Sequence, residues 1–248
     1  TNLTGNITTT GDTAAGLWLA GSDSNTTNLT GNITTAGETA HGLFLAISDS
    51  NTTNLTGNIT TSGDVAHGLR ITSSDSNTTN LTGNITTAGT NAYGLYLFQS
   101  DSNTTTINGD IITSGTDGDS EPILLTNSDS NTFILSGAVH SLGGDQAIAV
   151  DTNSQSNTFT FKRGVSFIGG LENNGGTTNK LIFDMGKASS YNIDTDGTTW
   201  TLEDLYKPIV EGSAKSMGVA DIDNQAHILY RRMDPVNDVL SERQRLYK

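Results

Sequence analysis

"SDSNTTNLTGNITTAGETAHGLFLAI", residues 22–47, is followed at residues 48–73 by "SDSNTTNLTGNITTSGDVAHGLRITS". The two stretches match almost letter for letter. Self-similarity at a fixed period marks a chain built by stacking copies of one supersecondary unit. Aligned outward from here, the copies begin at Thr1, Thr27, Thr53, Thr79, Thr105, Phe133 and Phe159, a period of 26 residues with one 28-residue copy.

The columns of this alignment carry the fold. Leu3, Leu29, Leu55, Leu81, Ile107, Leu135 and Phe161 share one position, and Ile7, Ile33, Ile59, Ile85, Ile111, Val139 and Val165 share another. Leu17, Leu43, Leu69, Leu95 and Ile123 form a third column, and Leu19, Leu45, Ile71, Leu97 and Leu125 stand two residues further on. A spacing of two is the spacing of a strand with one face in and one face out. Each copy therefore reads as three short strands, at "TNL", "NITT" and "GLFL", separated by "TG", "AGETAH" and "SDSNT". One such triangular coil cannot bury its few apolar side chains, but coils stacked about 4.8 Å apart line like residues into interior ladders. The expected architecture is all-β, a parallel β-helix (β-solenoid) of about seven coils over residues 1–184, roughly 34 Å long.

Composition agrees. Only 33% of the 248 residues are hydrophobic and 6% aromatic, low for a single deep core, and Gly, Thr, Asn and Ser fill the difference. Disordered chains share such a bias but lack apolar positions that recur in phase. Pro122, Pro208 and Pro235 are the only prolines, so no proline interrupts the first 121 residues. Cysteine is absent, which excludes disulfides and thiolate metal sites. No run approaches the roughly 20 apolar residues of a spanning helix. No basic-then-apolar leader opens the chain, and Thr1 is already in repeat phase, so the expectation is a piece of a longer precursor.

Charge divides the chain. Residues 1–158 hold 14 acidic side chains and one basic one, Arg70, whereas residues 159–248 hold 12 acidic and 11 basic. An acidic rod repels nucleic acid and anionic membrane surfaces, so neither is an expected partner.

"GNITTAGETAHGLFL", residues 31–45, is similar to the degenerate coils of passenger domains in bacterial autotransporters, the type V secretion proteins. The resemblance covers roughly residues 1–184, and "DGTTWTLEDLYKP", residues 196–208, resembles the barrel-proximal segment of such passengers. It implies a right-handed parallel β-helix exported through a C-terminal outer-membrane barrel that is not in this sequence. It also implies residence at the bacterial cell surface. Residues 185–220 then read as a barrel-proximal strand and loop cap over the open end of the solenoid.

Residues 221–248 change period again. Ile222, Ala226, Leu229, Met233, Val236, Leu240 and Tyr247 keep mostly to steps of three and four, the pattern of an amphipathic helix. Asp234-Pro235 suits a helix start, which predicts two consecutive helices. In the family resembled, a helical linker at this place threads the barrel pore.

The candidate sites fall in columns of the repeat. Asp23, Asp49, Asp75, Asp101 and Asp129 stack carboxylates at the coil spacing, and calcium is the cation such a column would take, against the ordinary reading of solvated turn aspartates. Asn25, Asn51, Asn77, Asn103, Asn131 and Asn157 recur in the "SNT" corner, where side-chain amides can bond from coil to coil, so a structural asparagine ladder is expected. His41 and His67 share a column with Ala15 and Tyr93, a corner-packing position with too few ligands for a metal. Outward Thr8, Thr34, Thr60 and Thr86 form a regular hydroxyl array, which strand propensity alone accounts for. No catalytic or cofactor-binding residue is assigned. Irregular carboxylates gather only at Asp117, Asp119 and Glu121 in the 28-residue copy.

The expected function is non-enzymatic: a surface-exposed stalk, adhesin or self-association module whose partner is a cell-surface or extracellular-matrix component or a second copy. The alternative is a carbohydrate-active β-helix, a polysaccharide lyase or hydrolase.

Overall fold

Strands of each copy pair in parallel with their counterparts one copy away, and three sheets result. The computed structural model describes residues 1–116, 119–186, 193–195, 197–205, 209–211 and 217–219. The first sheet has nine strands, Asn2–Thr4, Thr26–Thr30, Thr52–Thr56, Thr78–Thr82, Thr104–Asn108, Thr132–Ser136, Thr158–Lys162, Lys180–Asp184 and Thr201–Asp204. The second has seven, Ile7–Thr9, Ile33–Thr35, Ile59–Thr61, Ile85–Thr87, Ile111–Thr113, Ala138–Ser141 and Ser166–Ile168. The third also has seven, Leu17–Ala20, Leu43–Ala46, Leu69–Thr72, Leu95–Phe98, Ile123–Thr126, Ile148–Val150 and Leu171–Asn173. The chain is thus an all-β parallel solenoid of seven triangular turns, with no helix among the described residues.

Register is set by the apolar columns. Leu29 lies opposite Leu55, Ile33 opposite Ile59 and Leu43 opposite Leu69, all buried. A slip of one residue would turn every leucine outward, so the repeat locks its own pairing. Ile59 is 1% exposed while its neighbour Thr60 faces solvent, as the strand phase predicts.

The corners explain the rest of the repeated sequence. Gly57 sits at φ 143°, and a Cβ there would lie 2.1 Å from the carbonyl oxygen of Gly31 on the adjacent turn. Glycine alone satisfies both demands. At the second corner Thr61 Oγ1 donates to Ala66 O at 2.5 Å and closes the loop. At the third, Ser50 holds a left-handed φ of 58°, a conformation repeated at Ser76, Ser102, Ser130 and Ser156.

One interior column is not uniform. Thr27, Thr53, Thr79 and Thr105 point inward and are buried, and the same column continues as Phe133, Phe159 and Leu181. The hydroxyls of Thr53, Thr79 and Thr105 have no hydrogen-bond partner. Phe133 and Phe159 instead stack, with ring centroids 4.6 Å apart.

The rod extends past residue 184, where the 26-residue pattern is lost. Thr201–Asp204 pairs in parallel with Lys180–Asp184, and Lys180 forms an ion pair with Glu203. Trp200 is buried, donates from Nε1 to Leu171 O at 2.9 Å and meets Phe159 edge to face. Part of the stretch read as a cap therefore continues the first sheet. Beyond it, Ile209–Glu211 and Met217–Val219 pair antiparallel. The helices expected over residues 221–248 lie outside the described residues.

Candidate functional site

The asparagine corner is hydrogen-bonded from one turn to the next. Asn51 donates its backbone N–H to Asn77 Oδ1 at 2.8 Å, and Asn77 Nδ2 donates to Ser48 O at 2.8 Å. The same bonding recurs through Asn103, Asn131 and Asn157, all buried, while Asn25 enters the ladder only by donating its N–H to Asn51 Oδ1. Asn179 extends it, 22 residues after Asn157. The sequence reading missed Asn179 because the coil had shortened.

The aspartate column beside it is answered by main-chain donors. Asp23 Oδ1 accepts the N–H of Asp49 at 2.8 Å, and Asp49, Asp75 and Asp101 accept in turn from Asp75, Asp101 and Asp129. Asp129 accepts from Gln155 at 2.6 Å. One oxygen of each carboxylate is thus committed to the backbone, leaving the other for solvent or a cation. Among the described residues no group of three or more His, Cys, Asp or Glu side chains is placed to hold a metal.

The face that breaks the polar pattern is the third sheet. Between its two apolar columns the outward residues are Trp18, Phe44, Arg70 and Tyr96, in register with one another. Trp18 and Phe44 stack at 5.8 Å and 12°. The Arg70 guanidinium lies 5.2 Å from the Phe44 ring and 5.7 Å from Tyr96, so it is inserted between two aromatic faces. Arg70 Nε donates to Thr72 Oγ1 at 3.0 Å.

Alongside runs a second stack, His41, His67 and Tyr93. Adjacent rings are 4.8 Å and 4.9 Å apart and nearly parallel. His41 Nδ1 accepts the backbone N–H of His67 at 3.1 Å, and His67 Nδ1 accepts that of Tyr93 at 3.0 Å. His41 also meets Phe44 edge on at 5.1 Å, which joins the two stacks. Burial, then Arg70, lowers the His41 pKa to about 4, and burial, then His41 and Arg70, lowers that of His67 well below the usual value. Both imidazoles are neutral at pH 7. Where the stacks meet, Thr13, Ala15, Trp18, Thr39, His41, Phe44 and Arg70 line a cavity of about 230 Å³. Arg70 was conspicuous in the sequence as the one Lys or Arg of residues 1–158. Its aromatic neighbours were legible only by reading the column between the leucines.

The 28-residue copy brings Glu121 beneath Tyr93. Glu121 is half-buried, its Oε2 has no hydrogen-bond partner, and burial above all, with Asp145, Asp119 and Glu172 nearby, raises its pKa to about 7. Asp117, the third carboxylate of that group, lies outside the described residues. The threonine array is present as Thr8, Thr34 and Thr60, exposed, and Thr86, half-buried, but Ile112 and His140 end it.

No protein-family model, no curated protein and no solved structure matches this chain. Its class rests on the fold: a β-solenoid repeat protein.

Proposed function

We propose that the chain is a non-enzymatic passenger of the autotransporter type, a stiff acidic stalk at a bacterial cell surface that works by adhesion or self-association. The observation that supports this most directly is the corner chemistry. Main-chain and asparagine bonds close the third corner in turn after turn, so the rod has short, near-identical loops where a β-helix enzyme needs long irregular ones. Its negative charge keeps it from anionic surfaces and leaves the aromatic face of the third sheet as the place for a partner.

A second reading, a carbohydrate-active β-helix, draws on Glu121, whose raised pKa beside Asp119 and Asp145 suits an acid catalyst. Incubating the protein with a panel of acidic and neutral polysaccharides separates the two. The stalk reading expects no shortening of any chain, and measurable cleavage abolished by Glu121→Gln would replace it with the second. The export route is tested by protease treatment of intact cells that express the complete gene. The rod should be shaved from the surface.

A further inference from the structure

The cavity where the two stacks meet contains a conflict of hydrogen bonding. The backbone N–H of His67 can only donate, and it points at His41 Nδ1 from 3.1 Å, so that nitrogen carries a lone pair. The neutral imidazole must then carry its proton on Nε2. Nε2 lies 2.9 Å from Arg70 Nη1, and a guanidinium nitrogen also only donates. Two donors face each other with no acceptor between them. The opposite tautomer only moves the conflict to His67, because one neutral imidazole has one lone pair and two donors claim it. Such pairs are rare in folded proteins, and a shared acceptor resolves them, most strongly when it is anionic.

The rest of the cavity restricts what that acceptor belongs to. Arg70 is the only Lys or Arg in residues 1–158, so an anion meets no competing guanidinium or ammonium on these turns of the rod. Nε is spent on Thr72, which leaves the Nη groups for the cavity. Ala15, Trp18 and Phe44 supply apolar surface and Thr13 and Thr39 supply hydroxyls, a lining suited to a ring with one apolar face and a polar rim. Trp18 is 60% exposed and open to such a ring. A volume of about 230 Å³ admits a single small ring, and the acidic field around it opposes a long polyanion.

We propose that this cavity binds one sugar-acid ring, with a carboxylate oxygen accepting from Arg70 Nη1 and His41 Nε2–H and the ring lying against Trp18 and Phe44. The inference goes beyond the stalk reading and does not depend on it, since the cavity takes the ring whether the rod serves as a stalk or as an enzyme.

Titration calorimetry of the whole protein with glucuronate, glucose, benzoate and inorganic phosphate tests it. Glucuronate should bind saturably, and the other three at least about tenfold more weakly, since each lacks the carboxylate, the hydroxylated ring or both. Trp18→Ala, at an exposed position, and Arg70→Gln should each weaken glucuronate by at least about tenfold. Circular dichroism establishes that each variant retains the rod. Absence of saturable glucuronate binding overturns the proposal. So does equal binding of glucose, benzoate or phosphate, or affinity unchanged in both folded variants.

Discussion

Asn77 Oδ1 accepts the backbone N–H of Asn51 at 2.8 Å, one full turn away along the rod. The other end of the same amide donates to Ser48 O, so one buried side chain closes two main-chain groups that have no water to turn to. Asn77→Ala should therefore cost about 2–4 kcal/mol, the sum of two unsatisfied buried groups. Asn28 also bonds to its column neighbour Asn2, but in solvent, and Asn28→Ala should cost less than about 0.5 kcal/mol. Urea denaturation of both variants makes the comparison, and equal losses would show that the buried corner is not what holds adjacent turns together.

The inward hydroxyl of Thr79 has no partner at all. Valine keeps its shape and removes the stranded polar group, so Thr79→Val should stabilise the rod by about 1 kcal/mol. A loss of stability in thermal melting would mean that an ordered water serves the hydroxyl.

Ile47 holds φ at 51° and is 73% exposed, a β-branched side chain in a left-handed conformation with little burial in return. Asn127 occupies the equivalent place in a later turn with φ 48°. Ile47→Asn should raise stability by about 1 kcal/mol. A lowered melting temperature would contradict this account of the corner.

Glu121 gives the rod a pH dependence whose sign is fixed. Burial first, then the carboxylates of Asp145, Asp119 and Glu172, raises its pKa from 4.5 to about 7. The folded chain holds this proton more tightly than the unfolded chain, so the contribution is full below pH 4.5 and is lost as pH rises through about 7. Denaturation midpoints measured across that window should fall for the parent more than for Glu121→Gln. Identical slopes would remove Glu121 as the cause.

The extent to which the fold was legible follows from the columns. Leu29, Leu55 and Leu81 announce their stacking because each stands 26 residues from the next, and the Asn25 to Asn157 series does the same for the corner. Where the coil length changed, that signal stopped. Asn179 and the rung at Thr201–Asp204 are as much part of the rod as the early turns, yet their spacing hides them. The carboxylate column was visible, but not that main-chain amides occupy one oxygen of each residue, because backbone partners leave no mark in composition. The Arg70 cavity joins residues from three copies and three columns, a convergence that exists only after stacking.

The change from threonine to phenylalanine along the interior column gives the rod a grain. In a linear array each turn gains only from its neighbours, so local stability follows local interior. Turns built on Thr53 and Thr79 carry unpartnered hydroxyls, whereas Phe133 and Phe159 stack on one another and Trp200 packs edge-on against Phe159. Amide exchange should be slowest around Phe161 and Leu181 and fastest near Leu29. A rod protected most strongly at its N-terminal turns would refute this. The solid end is also the one made last on the ribosome, so the weaker turns emerge before the turns that are packed best.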